Sequence, residues 1–232
     1  MSNTVVLNFD GFSVEVSPYT AAQIAMHDAR FALGRRSANK VRLDTVTVRG
    51  QSGSLDKVKK ETFERMRDNA LAFRERILDV DGSRPFRTKL TSGAATLTEI
   101  RSYADLVCSV GTGNCFEYAI VAFIKLYAQG WRRMELVQLD APSTHCFVVL
   151  GSARRQGMMY EAGFAYAPGS VICDPWAHIA CAADVYATVW RDKMLKWQGS
   201  GKQISTPDGL LDSTNYTLQH RQLVMYSLPG GH

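Results

Sequence analysis

One stretch that is apolar on nearly every side constrains the fold of this chain most. It runs from Cys115 through Phe-Glu-Tyr-Ala-Ile-Val-Ala-Phe-Ile-Lys-Leu-Tyr to Ala128, between the turn Gly111-Thr112-Gly113-Asn114 and Gly130. Asn is a favoured helix N-cap and Gly commonly follows a helix, so the flanks predict a helix that begins at the cysteine. A helix without a polar face has to be buried. We therefore predict that this helix lies at the centre of the domain.

Strands are predicted after this helix. The segments 134–140, 145–151, 158–163 and 170–174 read MELVQLD, HCFVVLG, MMYEAG and SVICD. Short runs rich in β-branched and aromatic residues, bounded by turn residues, are typical of strands. A helix is predicted at about 179–195, followed by a strand at QLVMYSL. A buried helix followed by antiparallel strands is an α+β arrangement.

Residues 1–95 are predicted to form an extension of short strands and helices, either a structural cap or a docking lobe, in front of a core over 96–232. The predicted elements of the extension are two strands in 4–16 joined at Asp10-Gly11, a helix from Pro18 to Gly34, a strand in 39–50 and an amphipathic helix at about 55–79. In the core, a helix predicted at about 97–107 leads to the turn at 111–114. Residues 82–96 are polar and rich in turn formers, which indicates a linker.

Composition and charge exclude several classes of protein. Hydrophobic residues make up 46% and charged residues 21%, which is ordinary for a globular protein with a core. The net charge of +5 is modest, and the basic residues of 57–67 alternate with acidic ones, so nucleic acid is not an expected partner. No apolar run approaches the roughly 20 residues that span a bilayer, so stable membrane insertion is not expected.

The N-terminal sequence and the cysteines indicate the compartment. The N-terminus lacks a basic segment followed by an apolar block, so we expect a cytoplasmic protein or one secreted without a Sec signal. The five cysteines are odd in number and irregularly spaced, which favours reduced thiols. Cys173, His178 and Cys181 lie near one another, but no CxxC pair accompanies them. We predict no metal and no cofactor.

Cys115 has the setting that an enzymatic thiol needs. A free thiol has a pKa of about 8.5, and a helix N-terminus lowers it because the exposed N–H groups favour the thiolate. The same N–H groups, with Gly113, Asn114 and a downstream Trp176 as support, are candidates to hold a developing oxyanion. The other cysteines have no such setting and are interpreted as small core residues.

A cysteine nucleophile also needs an imidazole and a group that orients it. Of the five histidines, His145 alone opens an apolar strand directly after a polar loop. Asp174 ends an apolar strand before Pro175. Asp140 and Glu161 also lie at or near strand ends and remain rival orienting groups.

Three motifs carry a family resemblance. The segment Gly113 to Ala119, GNCFEYA, resembles the Gly-x-Cys-aromatic-x-aromatic-Ala motif of transglutaminases and the related pattern of peptide N-glycanases. HCFV at 145–148 is similar to the His-Val-aromatic strand of that superfamily, and CDPW at 173–176 is similar to its Asp-Pro strand end. The motifs span about 110–180 and occur in the family's order.

The resemblance implies a papain-like core in which Cys115 is the nucleophile, His145 the acid and base, and Asp174 the orienting carboxylate. There are departures, because the family usually has Gln at the position of Asn114 and Trp at that of Phe116. The calcium-binding segments of the animal enzymes have no evident counterpart. The chain's size is closer to that of bacterial relatives, including effectors and toxins that deamidate or cleave host proteins.

The expected activity is amide hydrolysis on a protein substrate through a thioacyl intermediate, with deamidation of glutamine favoured. Proteolysis and transglutamination use the same intermediate and stay open. A non-catalytic protein-binding module is a further alternative. Arylamine N-acetyltransferases also resemble this architecture, but the Arg-Gly-Gly run that precedes their cysteine is absent. The oligomeric state is not predicted.

Overall fold

The computed structural model describes residues 4–9, 12–34, 37, 40–42, 83–140, 144–161, 166–206, 209–218 and 221–228. Within these residues the fold is mixed α+β, with five α-helices and a six-stranded antiparallel sheet. The helices are α1 Pro18–Ala32, α2 Ser83–Thr91, α3 Leu97–Val110, α4 Cys115–Ala128 and α5 Tyr186–Gly199.

Eleven strands are described, and they form three sheets. The six-stranded sheet has the order β6-β11-β4-β5-β7-β8, a two-stranded sheet pairs β1 with β2, and a three-stranded sheet has the order β10-β9-β3. The strands are β1 Val5–Phe9, β2 Phe12–Val16, β3 Lys40–Arg42, β4 Met134–Leu139, β5 Cys146–Leu150, β6 Met159–Tyr160, β7 Val171–Asp174, β8 Ile179–Ala182, β9 Lys202–Thr206, β10 Gly209–Asp212 and β11 Gln222–Leu228.

Helix α4 is buried, as its sequence predicts. Nine of its residues are buried, and the helix contacts α1, α3, β4, β5 and β7. Helix α1 packs against α4, β7 and β8, and its buried residues include four alanines, Ala21, Ala22, Ala25 and Ala29. Buried residues of α1, α2 and the sheet belong to one hydrophobic cluster. The division of the chain at residue 95 stays a prediction.

Several predicted elements are confirmed. Helix α1 starts at Pro18, and Gly34 follows its end with a φ of 70°. Strands β4, β5, β7 and β11 lie in the segments predicted for them, whereas only Met159–Tyr160 of 158–163 is assigned as a strand. Strands β1 and β2 pair as a hairpin, although Asp10 and Gly11 themselves lie outside the described residues. The helix predicted at 55–79 also lies outside the described residues, and so does the part of the predicted 39–50 strand after Arg42.

The linker predicted over 82–96 is wrong, because Ser83–Thr91 forms helix α2. Pro85 lies in the first turn of that helix, where a backbone N–H has no intrahelical acceptor, so proline removes no hydrogen bond. Phe86 and Leu90, four residues apart, are both buried. The two apolar anchors at helical spacing therefore outweigh the polar residues between them.

The helix predicted at about 179–195 begins too early. Residues Ile179–Ala182 form β8, which pairs with β7 from Asp174↔Ile179 to Val171↔Ala182, and α5 begins only at Tyr186. The alanines of this segment suggest a helix, but Ile179 and Cys181 are buried while Ala182 is exposed, which is the alternation of a strand. Pairing with a buried neighbouring strand overrides the local propensity.

Candidate active site

Cys115 is the first residue of α4, at the buried end of the central helix. Asn114 precedes it in an extended conformation, and the backbone N–H of Asn114 donates to Oε2 of Glu117 at 2.8 Å. The first N–H groups of a helix have no intrahelical acceptor and carry the positive end of its dipole. The Cys115 sulfur and its own N–H therefore lie where negative charge is stabilised.

A buried network holds this first turn of α4. Glu117 is 1% exposed, pairs with the Arg87 guanidinium of α2, and accepts a hydrogen bond from Tyr103 Oη of α3 at 3.3 Å. The Arg87 guanidinium also lies 4.3 Å from the ring centre of Phe116. Because Glu117 also binds the Asn114 N–H, the network fixes the helix start that carries the thiol.

His145 and Asp174 form a buried pair. Nε2 of His145 lies 2.9 Å from Oδ2 of Asp174, and both side chains are fully buried. The pair is assembled by the sheet: His145 directly precedes β5, Asp174 ends β7, and these strands are neighbours. The carboxylate accepts two more hydrogen bonds, from the Ala177 N–H and from Tyr186 Oη, each at 2.9 Å.

The rival orienting groups lie elsewhere. Asp140 forms an ion pair with Arg221 at 2.7 Å, and its side chain is 34% exposed. Glu161 is exposed. Of the three candidate carboxylates, Asp174 is the one that the structure brings to His145.

The thiol lies beside the imidazole. Sγ of Cys115 is 3.9 Å from the carbonyl oxygen of Thr144, the residue before His145. Nδ1 of His145 is buried and makes no hydrogen bond of standard geometry with any described residue. Since Nε2 is engaged by Asp174, Nδ1 is the nitrogen left to exchange a proton with the thiol.

The electrostatics of the three side chains favour an ion pair. The Cys146 thiol, as a hydrogen-bond donor to Cys115, lowers the pKa of Cys115; burial opposes this, and the neighbouring His145 imidazole lowers the pKa further. Burial lowers the pKa of His145, but the charge and hydrogen bond of Asp174 and the contact with Cys115 outweigh it and raise that pKa. The favoured state is therefore a Cys115 thiolate beside a protonated His145.

Cys146 itself stays protonated. Burial and the neighbouring Cys115 raise the pKa of Cys146 well above its ordinary value. Its Sγ also lies 3.8 Å from Oε1 of Gln138. Of the two neighbouring thiols, Cys115 thus favours the thiolate and Cys146 is a hydrogen-bond donor.

Aromatic rings enclose the imidazole. The ring centres of Trp190, Trp176 and Tyr216 lie 4.6, 5.1 and 6.0 Å from that of His145. Tyr216 Oη donates a hydrogen bond to the same Thr144 carbonyl that the Cys115 thiol faces. The rings keep water from the His145–Asp174 pair, and a water-poor surrounding strengthens that interaction.

The predicted support residues have structural roles. A Cβ atom at Gly113 would lie 2.5 Å from Cβ of Glu117, so this close approach requires glycine. The side-chain oxygen of Asn114 lies 3.4 Å from Oγ of Ser37, and the Trp176 indole N–H donates to that same Oγ at 2.9 Å. Because its N–H is engaged there, Trp176 supports the site and is not an oxyanion donor.

Sequence reasoning missed Ser37, Cys146, Tyr186 and Tyr216 as parts of the site. Ser37 joins the segment before the cysteine to the turn after Asp174, and it lies 77 and 139 residues from its two partners. Tyr216 is 72 residues from the carbonyl it binds. No local pattern marks residues whose partners are so distant. Of these four residues, only Cys146 could have been found from the sequence, because it follows His145 directly.

No metal site is found in the described ranges, where no group of three or more His, Cys, Asp and Glu side chains is placed to hold an ion. All five cysteines are free thiols. The cluster of Cys173, His178 and Cys181 does not converge, since Cys173 and Cys181 are buried in adjacent strands while His178 is exposed.

No single helix in the described part of the chain has both the length and the apolar character to cross a membrane. The pair α3 and α4 meets those criteria only together, and it is bent by 117° at the break between the helices. Comparisons of the chain with protein-family models, curated proteins and solved structures returned no match.

Proposed function

We propose that this chain is a cysteine-dependent amide hydrolase that deamidates glutamine side chains of protein substrates through a thioacyl intermediate. The proposal includes a papain-like or transglutaminase-like core, with α4 as the catalytic helix. The observation that carries it is the placement of Cys115, at a helix N-terminus, beside the buried His145–Asp174 pair.

In the first half of the reaction the Cys115 thiolate attacks the carboxamide carbon of the substrate. The C–S bond forms, and the carbonyl π electrons move to oxygen to give a tetrahedral oxyanion. The backbone N–H of Cys115 at the start of α4 is the donor best placed to stabilise that charge. His145 then passes its proton to the leaving nitrogen, ammonia departs, and a thioester remains.

In the second half water resolves the thioester. Neutral His145 takes a proton from water through Nδ1 while the oxygen attacks the thioester carbon. The C–S bond breaks, the product leaves as a carboxylic acid that then gives its remaining proton to solvent, and the thiolate–imidazolium pair is restored. Asp174 holds Nε2–H throughout, so that Nδ1 stays directed to the reacting atoms.

Mass spectrometry of a protein mixture incubated with the enzyme tests this proposal. Deamidation adds about 1 Da to a glutamine, a cut chain indicates proteolysis, and a covalent amine adduct indicates transglutamination. The Cys115→Ala variant must abolish the change. Cys108→Ala is the matched control, because burial raises the pKa of Cys108 and that thiol lies in α3, outside the site. If no Cys115-dependent change occurs on any protein, the chain is a binding module instead.

A further inference from the structure

Two thiols lie beside one another at the proposed active site. Cys115 is the first residue of α4 and Cys146 is the first residue of β5, and this helix packs against this strand. Sγ of Cys115 lies 3.9 Å from the carbonyl oxygen of Thr144, which is two residues before Cys146 in the chain. The packing therefore brings the start of the helix to the start of the strand.

The Cys146 side chain points to the face of the sheet that carries α4. Alternate side chains of a strand share a face, so Cys146 lies on the same face as Val148. Val148 pairs with Cys173 of β7, whose Sγ donates to the carbonyl oxygen of Ala22 in α1 at 3.3 Å. Because α1 packs against α4, both helices cover this face. The Cys146 thiol therefore points into the layer that holds the start of α4, where it donates a hydrogen bond to the Cys115 sulfur.

The two thiols differ in access to solvent and in protonation. Cys115 is half-buried, whereas Cys146 is 2% exposed. Cys115 favours the thiolate, and burial together with the neighbouring Cys115 raises the pKa of Cys146, so that Cys146 stays protonated. Oxidants react with accessible thiolates in preference to buried, protonated thiols. An oxidant that arrives from solvent therefore meets the reactive sulfur first, and a second thiol is already in contact with that sulfur.

The other three cysteines lack this combination. Burial raises the pKa of Cys108, of Cys173 and of Cys181. Cys173 and Cys181 are also buried. Cys108 is half-buried but lies in α3, outside the site. Oxidation should therefore be selective for Cys115.

We propose that hydrogen peroxide converts Cys115 and Cys146 into a reversible disulfide. A partly exposed nucleophilic sulfur with a second thiol beside it is the arrangement that favours a disulfide over further oxidation. The disulfide uses up the Cys115 thiolate, so it also switches off the proposed hydrolase. That consequence rests on the proposed function, whereas formation of the disulfide does not.

In the first step the Cys115 thiolate attacks one oxygen of hydrogen peroxide. The S–O bond forms and the O–O bond breaks, so that sulfur is oxidised by two electrons to the sulfenic acid. The leaving hydroxide takes the proton of the His145 imidazolium and departs as water. The imidazolium that the hydrolase uses to protonate a leaving amine thus serves here to protonate a leaving hydroxide.

In the second step the Cys146 sulfur attacks the Cys115 sulfur. The S–S bond forms, the S–O bond breaks, and hydroxide leaves with the thiol proton of Cys146 as a second water. A dithiol reductant reverses the change by attack on the Cys115 sulfur, which is the accessible one of the pair, and is itself oxidised to a disulfide. The two thiols are restored.

Mass spectrometry of the full chain treated with hydrogen peroxide tests the proposal. Cys108 and Cys115 lie between the same two tryptic cleavage sites, Arg101 and Lys125, so the linkage is mapped in Cys108→Ala, which is also the matched control. Wild type and Cys108→Ala should each lose about 2 Da, and dithiothreitol should restore that mass. The map of Cys108→Ala should show peptide 102–125 joined to peptide 134–154. No linkage, or a linkage to Cys173 or Cys181, would overturn the proposal.

Cys146→Ser removes the second thiol and keeps a side chain of similar size. The serine hydroxyl can still donate to Oε1 of Gln138, the acceptor beside the Cys146 thiol, so we expect the fold to be retained. With no thiol to form the disulfide, Cys115 should be oxidised onward to the sulfinic acid, a gain of about 32 Da that dithiothreitol does not reverse. The same gain in wild type would overturn the proposal, and so would a loss of about 2 Da in Cys146→Ser.

Acylation of Cys115 by 4-nitrophenyl acetate measures the effect on the site without a protein substrate. Oxidised wild type should be acylated slower by about tenfold or more, and reduction should restore the rate, because the thiolate is the nucleophile. The disulfide and the proposed function can fail separately. A disulfide in a chain that modifies no protein supports this inference while the hydrolase proposal fails. Sulfinic acid formation in a wild-type chain that deamidates its substrate overturns this inference alone.

Discussion

Nε2 of His145 lies 2.9 Å from Oδ2 of Asp174, and neither side chain is exposed to solvent. The Asp174 carboxylate accepts three hydrogen bonds, from the imidazole, from the Ala177 N–H and from Tyr186 Oη. An imidazole held in this way has one nitrogen committed to the carboxylate and one left for the thiol. The orientation of His145 therefore depends on a single carboxylate oxygen.

Asp174→Asn should disable the site. Asn has one acceptor oxygen where the carboxylate has two, so it cannot accept from His145, Tyr186 and Ala177 together, and the ring also loses the charge that raises its pKa. We expect acylation of Cys115 by 4-nitrophenyl acetate, followed by intact mass, to slow by about 10²-fold or more. Tyr186→Phe, which removes one hydrogen bond to the same carboxylate, should slow it less than tenfold. Equal rates in Asp174→Asn and wild type would show that His145 does not need Asp174.

Cys146→Ala should raise the pKa of Cys115. The hydrogen bond from Cys146 is the largest of the effects that lower this pKa, and alanine removes the donor. The pH profile of Cys115 alkylation by iodoacetamide, followed by peptide mass mapping, should move to higher pH. Cys181→Ala removes a thiol of the same sheet outside the site and should leave the profile in place. A shift to lower pH in Cys146→Ala would contradict the assigned role of Cys146.

Gly113→Ala should damage the site more than the fold. The new Cβ would lie 2.5 Å from Cβ of Glu117, so the first turn of α4 has to move. A displacement of about 1 Å in a catalytic group can slow a reaction by roughly 10²-fold. Gly111→Ala is the control in the same loop, since its Cβ meets nothing within 4 Å and its φ of 72° adds only strain, about 1 to 2 kcal/mol. We expect Gly113→Ala to lose acylation and Gly111→Ala to lose only thermal stability. Equal acylation rates in the two variants would refute this.

The local patterns of the sequence predicted the parts of the site that depend on local structure. The apolar run after Asn114 predicted a buried helix starting at Cys115, and the strand ends predicted the positions of His145 and Asp174. Glu117 shows where that reasoning stops, because the run was interpreted as apolar although it contains a carboxylate. That buried carboxylate forms an ion pair with Arg87, which lies thirty residues earlier in a segment interpreted as a linker.

The surroundings of the imidazole were not predictable for the same reason. Trp190 and Tyr216 contact His145 from a helix and a loop, and each is an ordinary aromatic residue in its own segment. Trp176, which also contacts the imidazole, was named in advance only as a support residue for the oxyanion. Contacts between residues far apart in the chain leave no periodicity to detect. Strand β8 was missed likewise, because its conformation depends on pairing with β7 and not on its alanines.

The pH dependence of Cys115 alkylation tests the central claim most directly, and it requires no knowledge of the substrate. The pKa of Cys115 is lowered to about 5, whereas a free thiol has a pKa of about 8.5. A lowered pKa means that the thiolate is already formed at neutral pH and is lost only as the pH falls through about 5. The rate of iodoacetamide labelling of Cys115 should therefore reach half its maximum near pH 5, and His145→Ala should move that midpoint to higher pH. A midpoint near 8.5 in the wild-type protein, unchanged by His145→Ala, would contradict the account.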